Sequence, residues 1–146
     1  MTTTERHLRV KADLGELADV RRFVRDAVRA ADAPIECLDD LVQAVDEAAT
    51  NVITHGYDGM PGWIDVGVAL AGDRFVVTLE DTAREFDPTK VPEPDLSVPP
   101  LGRKPGGMGV HLMRAATDAL SHRPRPGGGN ILTMVRSRTA GRKEED

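Results

Sequence analysis

Cysteine, aromatic residues and long apolar runs are scarce in this chain, and each scarcity excludes a class of protein. Cys37 is its one cysteine in 146 residues, which excludes an intramolecular disulfide and a cysteine-rich metal site. We expect this thiol to be a small, partly buried apolar group. No run approaches the ~20 apolar residues that cross a membrane, and the amino terminus lacks the pattern of a signal peptide. We therefore expect a cytoplasmic protein without a membrane partner.

The charge balance and the composition indicate one globular domain. With 40% hydrophobic but only 3% aromatic residues, the core must consist mainly of valine, leucine, isoleucine and alanine. The net charge is −5 and the basic residues are scattered, which argues against direct binding of nucleic acid. We expect a single domain over residues 1–138, followed by a polar tail over 139–146.

Hydrophobic periodicity predicts the element order β-α-α-β-β-loop-α-β-β. The expected bounds are a strand over 7–11, helices over 14–31 (capped by Asp13) and 36–55 (closed by Gly56), a hairpin of 63–70 with 74–80, a helix from Gly106 with Leu120 among its apolar positions, and a hairpin of 121–125 with 130–137. This order predicts an α+β two-layer sandwich, in which three helices cover one face of a mixed, mostly antiparallel sheet.

The connection between the first hairpin and the third helix is unusually long. Residues 81–105 show no periodicity and contain six prolines. Such a segment in a small domain is typically functional, often as a lid over a site.

The second predicted helix carries Glu47, Asn51 and His55 at four-residue spacing, which places a carboxylate, an amide and an imidazole in one column. Asn51 can supply an oxygen ligand to Mg²⁺, and Glu47 can accept a proton. The alternative for Glu47 and Asn51 is an ordinary solvated helix face. His55 can instead be a cation that offsets the helix dipole.

Two further features suit a nucleotide. Glycines 106, 107 and 109 stand where the third helix should begin, and a glycine-rich helix start attracts phosphate, although it can also be a plain flexible turn. Asp81 directly follows a hydrophobic strand, where its carboxylate can accept a hydrogen bond from an exocyclic amine such as that of adenine, or simply begin a turn.

These segments together resemble the bacterial anti-sigma factor serine/threonine kinases, a branch of the Bergerat-fold, histidine-kinase-like ATPases. The matching segments are residues 46–57 (DEAATNVITHGY) for the N-box, 81–88 (DTAREFDP) for the first glycine box, 106–114 (GGMGVHLMR) with Asp118 for the second, and 130–134 (NILTM) for the closing strand.

The resemblance implies a role for each site residue. Glu47 would be the catalytic base, Asn51 the Mg²⁺ ligand and Asp81 the reader of adenine, with Thr133 supporting Asp81 from the neighbouring strand. The remaining cofactor-binding positions would be Ala83 beside the adenine, and Gly107, Gly109, Val110 and His111 at the phosphates, under an ATP lid over 91–105.

The implied activity is transfer of the γ-phosphoryl group of ATP to a serine or threonine of a STAS-type anti-anti-sigma factor. The protein would also sequester a sigma factor, as a homodimer. One departure leaves an alternative open: the first glycine box normally reads Asp-x-Gly-x-Gly, whereas Ala83 and Glu85 occupy its glycine positions here. The alternative is a module of the same fold that binds a regulator without phosphotransfer. A sensor histidine kinase is disfavoured, because no phosphoacceptor helix precedes the domain.

Overall fold

The computed structural model describes residues 4–99, 101 and 108–138, and this part of the chain forms two layers. Its strands are β1 (Thr4–Lys11), β2 (Trp63–Ala71), β3 (Arg74–Asp81), β4 (Ala119–Pro124) and β5 (Asn130–Ser137), and its α-helices are α1 (Leu17–Ala30), α2 (Ile35–Asn51) and α3 (Met108–Ala116). The predicted α+β sandwich is confirmed. Within the described residues no helix combines the length and apolarity needed to cross a membrane.

The five described strands form one sheet in the order β1-β2-β3-β5-β4, and every neighbouring pair is antiparallel. The expectation of a mixed sheet is therefore wrong for these strands. Alternation decides which face is covered, because successive side chains of a strand point to opposite faces. Val77 and Leu79 of β3 lie on the same face as Leu132 and Met134 of β5, and all four are buried.

Helix α2 lies at the centre of the helical layer, against α1 and α3. Its buried face includes small residues such as Ala44, Ala48 and Ala49, which let the helix approach its neighbours closely. Cys37 is fully buried rather than partly buried, and this burial raises the pKa of its thiol. Asp40 of α2 also pairs with Arg136 of β5 at 3.2 Å in the interior.

The predicted second helix is wrong at its carboxyl end. Helix α2 ends at Asn51 and continues as a π-helical segment over Val52–Tyr57, so Gly56 lies within that segment instead of closing the helix. Thr50 and Thr54 donate hydrogen bonds to the carbonyl oxygens four residues before them, and such bonds compete with regular helix geometry. Single π turns inside helices are frequent at functional sites.

The predicted third helix is too long at its carboxyl end. Helix α3 ends at Ala116, and Leu120 belongs to β4, where it pairs with Met134. Asp118 fixes this transition, because its backbone N–H donates to Val135 and its carboxylate accepts from the backbone N–H of Ser137. The predicted start at Gly106 lies outside the described residues.

Candidate functional site

A cleft opens between α2, α3, the carboxyl end of β3 and the amino end of β5. It contains about 390 Å³ of empty space, including the open solvent at its mouth. Its polar lining includes Asn51, Asp81 and Asn130, while Ala83, Met113 and Leu132 are among its apolar walls. Residues that are distant in the sequence therefore meet at one concave surface.

The first turn of α3 rests directly on the polar face of α2. A Cβ atom added to Gly109 would lie 2.9 Å from Oε2 of Glu47 and 3.6–3.7 Å from the amide atoms of Asn51. Both residues are partly buried at this contact between the two helices. His55 is different, since it is exposed and its carbonyl oxygen accepts a hydrogen bond from Arg84 at 3.1 Å.

The carboxylate of Glu47 has a raised pKa. Burial is the main cause, and the neighbouring negative charge of Asp46 adds to it. Asp46 itself is paired with Arg21 at 2.8 Å, which leaves Glu47 as the less compensated carboxylate. A carboxylate with a raised pKa is a stronger proton acceptor, and this suits the role of general base.

Asp81 ends β3 and is 1% exposed. Its Oδ1 accepts two hydrogen bonds, from the backbone N–H of Ala83 and from Nδ2 of Asn130, each at 2.9 Å. Its Oδ2 is buried and has no hydrogen-bond partner among the described residues. Burial raises the pKa of this carboxyl group, and the two hydrogen bonds oppose the rise. A buried acceptor of this kind can take a hydrogen bond from a bound molecule or from an ordered water.

The altered glycine box fits into the cleft without backbone strain. Ala83 is buried and lines the cleft, and it does not belong to the described non-glycine residues with positive φ, which are Asp32 and Asp58. Glu85 is exposed, so solvent screens its charge. Neither substitution therefore blocks the cleft sterically.

The expectation that Thr133 supports Asp81 is wrong. Thr133 pairs with Thr78, whereas Asp81 pairs with Asn130, so Thr133 lies on the opposite face of the sheet from Asp81. Asn130 holds the carboxylate instead. The sequence reveals this partner only if the register between β3 and β5 is known, because the two residues are 49 positions apart.

The second glycine box is described only from Met108 onwards, and Gly107 lies outside the described residues. Val110 is buried in the core, so only its backbone remains to face a ligand. His111 lies 3.8 Å from Glu93, and its Nδ1 is buried without a hydrogen-bond partner among the described residues.

Arg114 was not predicted as a functional residue, but it anchors the start of the predicted lid. Its guanidinium group donates to the carbonyl oxygens of Thr89 and Val91 at 2.6 and 3.1 Å. The first part of the lid is thereby attached to α3, which also carries Gly109.

Comparisons with known proteins show which family this chain resembles. A family model for the histidine kinase-like ATPase domain matches residues 10–136. The chain is 29% identical over 118 residues to the anti-sigma F factor of Thermoanaerobacter sp. (strain X514), covering 78% of this chain and 82% of that protein. It is 31% identical over 96 residues to the serine/threonine-protein kinase BtrW of Bordetella bronchiseptica, covering 65% and 67%.

A further relative and a solved structure point the same way. The chain is 32% identical over 90 residues to the serine-protein kinase RsbW of Oceanobacillus iheyensis, covering 57% of this chain and 56% of that protein. Its fold resembles the crystal structure of the RsbU and RsbW domains of Rv1364c from Mycobacterium tuberculosis, with a TM-score of 0.67 and 20% identity. That match covers 98% of this chain but only 35% of the longer one.

Proposed function

We propose that this chain, which belongs to the family of histidine kinase-like ATPase domains, transfers the γ-phosphoryl group of Mg-ATP to a serine or threonine of a STAS-type anti-anti-sigma factor. Relatives named anti-sigma F factor and serine-protein kinase support this activity. The observation that carries the proposal is the close approach of the Gly109 backbone to the side chains of Glu47 and Asn51, because in the proposed site Gly109 would face the phosphates, Glu47 would be the base and Asn51 would be the Mg²⁺ ligand.

The residues of the cleft suit an adenine nucleotide with Mg²⁺. The unsatisfied Oδ2 of Asp81 would accept the exocyclic amino group of adenine. The side-chain oxygen of Asn51 would be a protein ligand of Mg²⁺, which typically keeps several waters and needs only one or two protein ligands beside the phosphates. When bound, the cation neutralises charge that develops on the phosphate oxygens.

Glu47 would accept the proton of the attacking hydroxyl group. As the hydroxyl oxygen forms its bond to the γ-phosphorus, the bond from that phosphorus to the β–γ bridging oxygen breaks and ADP leaves, while the proton moves to the carboxylate. Phosphoryl transfer depends mainly on positioning and charge stabilisation, so a base, a metal ligand and a phosphate-binding turn provide the necessary groups.

We also propose that the protein sequesters a sigma factor as a homodimer, and that this binding competes with the anti-anti-sigma factor. The names of the relatives support this role. The altered first glycine box, with Ala83 and Glu85, favours a second candidate, a regulatory module of the same fold that binds its partner without phosphotransfer.

Incubation with γ-labelled ATP and the STAS proteins of the same organism tests the proposal. We expect one STAS protein to be labelled by the wild type but not by Asn51→Ala. The matched control is Gln43→Ala, which alters an exposed position of the same helix and should leave labelling unchanged. Calorimetry with millimolar Mg-ATP separates the candidates. Binding without labelling favours the regulatory module, and no binding by the wild type rejects the kinase.

A further inference from the structure

We propose that Asn130 and His122 set the base selectivity of the cleft by fixing Asp81 Oδ2 as a hydrogen-bond acceptor for a 6-aminopurine. This inference rests on the proposed function, because it assumes that a purine nucleotide binds in the cleft. His122, Asn130 and Asp81 lie on the neighbouring strands β4, β5 and β3, and their side chains form a chain of hydrogen bonds that we call the relay. Two members of the relay, Asn130 and Asp81, line the cleft.

The amide of Asn130 is 6% exposed and is fully hydrogen-bonded. Its Nδ2 donates to Oδ1 of Asp81 and to the carbonyl oxygen of Arg84 at 2.9 and 3.0 Å. Its Oδ1 accepts from the backbone N–H of Phe86 at 2.8 Å and from His122 at 2.7 Å. A backbone N–H can only donate and a backbone carbonyl can only accept, so these two contacts determine the orientation of the amide.

His122 supports that orientation from the adjacent strand. Its side chain is 4% exposed, and since its Nε2 faces the acceptor oxygen of Asn130, Nε2 must carry the hydrogen. The other ring nitrogen, Nδ1, lies 3.9 Å from Asp87, which is beyond hydrogen-bond distance. Of these two contacts, the bond to Asn130 is therefore the one within hydrogen-bond distance of the imidazole.

The relay leaves one oxygen of Asp81 for a ligand. Oδ1 is used by Asn130 and Ala83, while Oδ2 is buried and unpartnered among the residues that the structure describes. Oδ2 of the ionised carboxylate can accept from the 6-amino group of adenine but would face the 6-keto oxygen of guanine without a hydrogen. When a buried polar atom of a site hydrogen-bonds one ligand, the site binds much more weakly an analogue that leaves this atom unpaired.

Removal of the His122 donor takes away one of the two hydrogen bonds to Oδ1 of Asn130, so the amide, and with it the carboxylate of Asp81 to which it donates, is held less firmly. We expect His122→Phe, which keeps a ring of similar size but no donor, to lower the ratio of the ATP and GTP affinities by about tenfold, the effect of one lost hydrogen bond. His122→Gln supplies an amide N–H near the position of Nε2 and should preserve most of the ratio.

The experiment measures Kd for Mg-ATP and Mg-GTP by calorimetry, with melting temperatures, for the wild type, both His122 variants and the control His7→Phe, whose imidazole is exposed on β1. A reduced ratio in His122→Phe, with a normal ratio in His122→Gln and in the control, supports the proposal. An unchanged ratio overturns it, even if both affinities and the melting temperature fall together, because that pattern indicates a structural role.

Two further outcomes are decided by the same design. If His122→Phe shows no cooperative melting, Asn130→Ser replaces it; the shorter side chain cannot bridge Asp81 and His122, so the ratio must fall, and an unchanged ratio overturns the inference. If the wild type binds neither nucleotide, the proposed function fails along with the inference. If the wild type prefers ATP to GTP and the variants show the same ratio of affinities, the inference is rejected but the proposed function is not.

Discussion

The hydroxyl group of Tyr57 connects three parts of the fold. Tyr57 is the last residue of the π-helical segment. Its hydroxyl group donates to the carbonyl oxygen of Trp63 at 2.6 Å and accepts from the backbone N–H of Thr82 at 2.9 Å. Tyr57 is 6% exposed. Tyr57→Phe therefore removes one group that satisfies two backbone atoms, one at the start of β2 and one in the first glycine box.

The expected loss of stability follows from these two bonds. A typical hydrogen bond contributes about 1 kcal/mol, and a buried partner left unsatisfied costs about 1–3 kcal/mol. Thr82 is exposed, so water can replace one of the two partners, which brings the total to about 1–3 kcal/mol. For a domain of this size, 1 kcal/mol corresponds to about 3 °C, and we expect the melting temperature to fall by roughly 3–9 °C.

Thermal denaturation followed by circular dichroism measures this effect, and Thr82→Val is the matched control. That variant removes the hydroxyl group 3.1 Å from the Tyr57 oxygen but keeps both backbone contacts, so its melting temperature should change by no more than about 2 °C. A Tyr57→Phe protein that melts within 1 °C of the wild type would refute the reasoning, as would an equal fall in the control.

Three other substitutions test the site and the core. Glu47→Gln should abolish phosphotransfer and raise the melting temperature at pH 8, because a raised pKa means that the fold disfavours the ionised carboxylate; this gain should shrink as the pH falls through the pKa of Glu47. Gly109→Ala should weaken Mg-ATP binding in calorimetry, because the methyl group of the new alanine would press on Glu47. The stability of the protein should be maintained, because the helix propensity of alanine exceeds that of glycine by up to about 1 kcal/mol. Asp40→Ala should lower the free energy of unfolding measured in urea by about 1–3 kcal/mol, because it removes the carboxylate that lies 3.2 Å from the buried guanidinium group of Arg136, and Asp40→Leu with Arg136→Met should recover most of the loss.

Local patterns were sufficient to predict most of the fold. The period of apolar residues identified α1, α2 and the β2–β3 hairpin, and each observed strand lies within a few residues of its predicted range. The two errors in helix length arise where local pattern is ambiguous. Leu120 fits both a helical and a strand period, and the π turn after Asn51 depends on threonine side-chain bonds that no hydrophobic pattern reveals.

The site was predictable as far as its residues act through local geometry. Glu47 and Asn51 share a helix face, so their spacing predicts that they lie together, whereas their roles are implied only by the resemblance of the combined motifs. Asn130 and His122 were not predicted, because their relation to Asp81 depends on the register of strands that are joined only by long-range pairing. Thr133 was misassigned for the same reason, since a difference of an odd number of residues moves a side chain to the other face of a strand.

The altered first glycine box is held by side-chain hydrogen bonds at several points. Tyr57 holds Thr82, Asn130 holds the segment on either side of Glu85, and Arg84 bonds back to the π-helical segment. The end of the cleft proposed to bind the base is thus fixed to the sheet, while the end proposed to bind the phosphates lies at the contact between α3 and α2. Substitutions in the first group should change stability and base affinity together. Substitutions at Glu47 should instead change the chemical step while the affinity for the base persists, and a set of variants in which both properties always fall together would show that the two ends do not act separately.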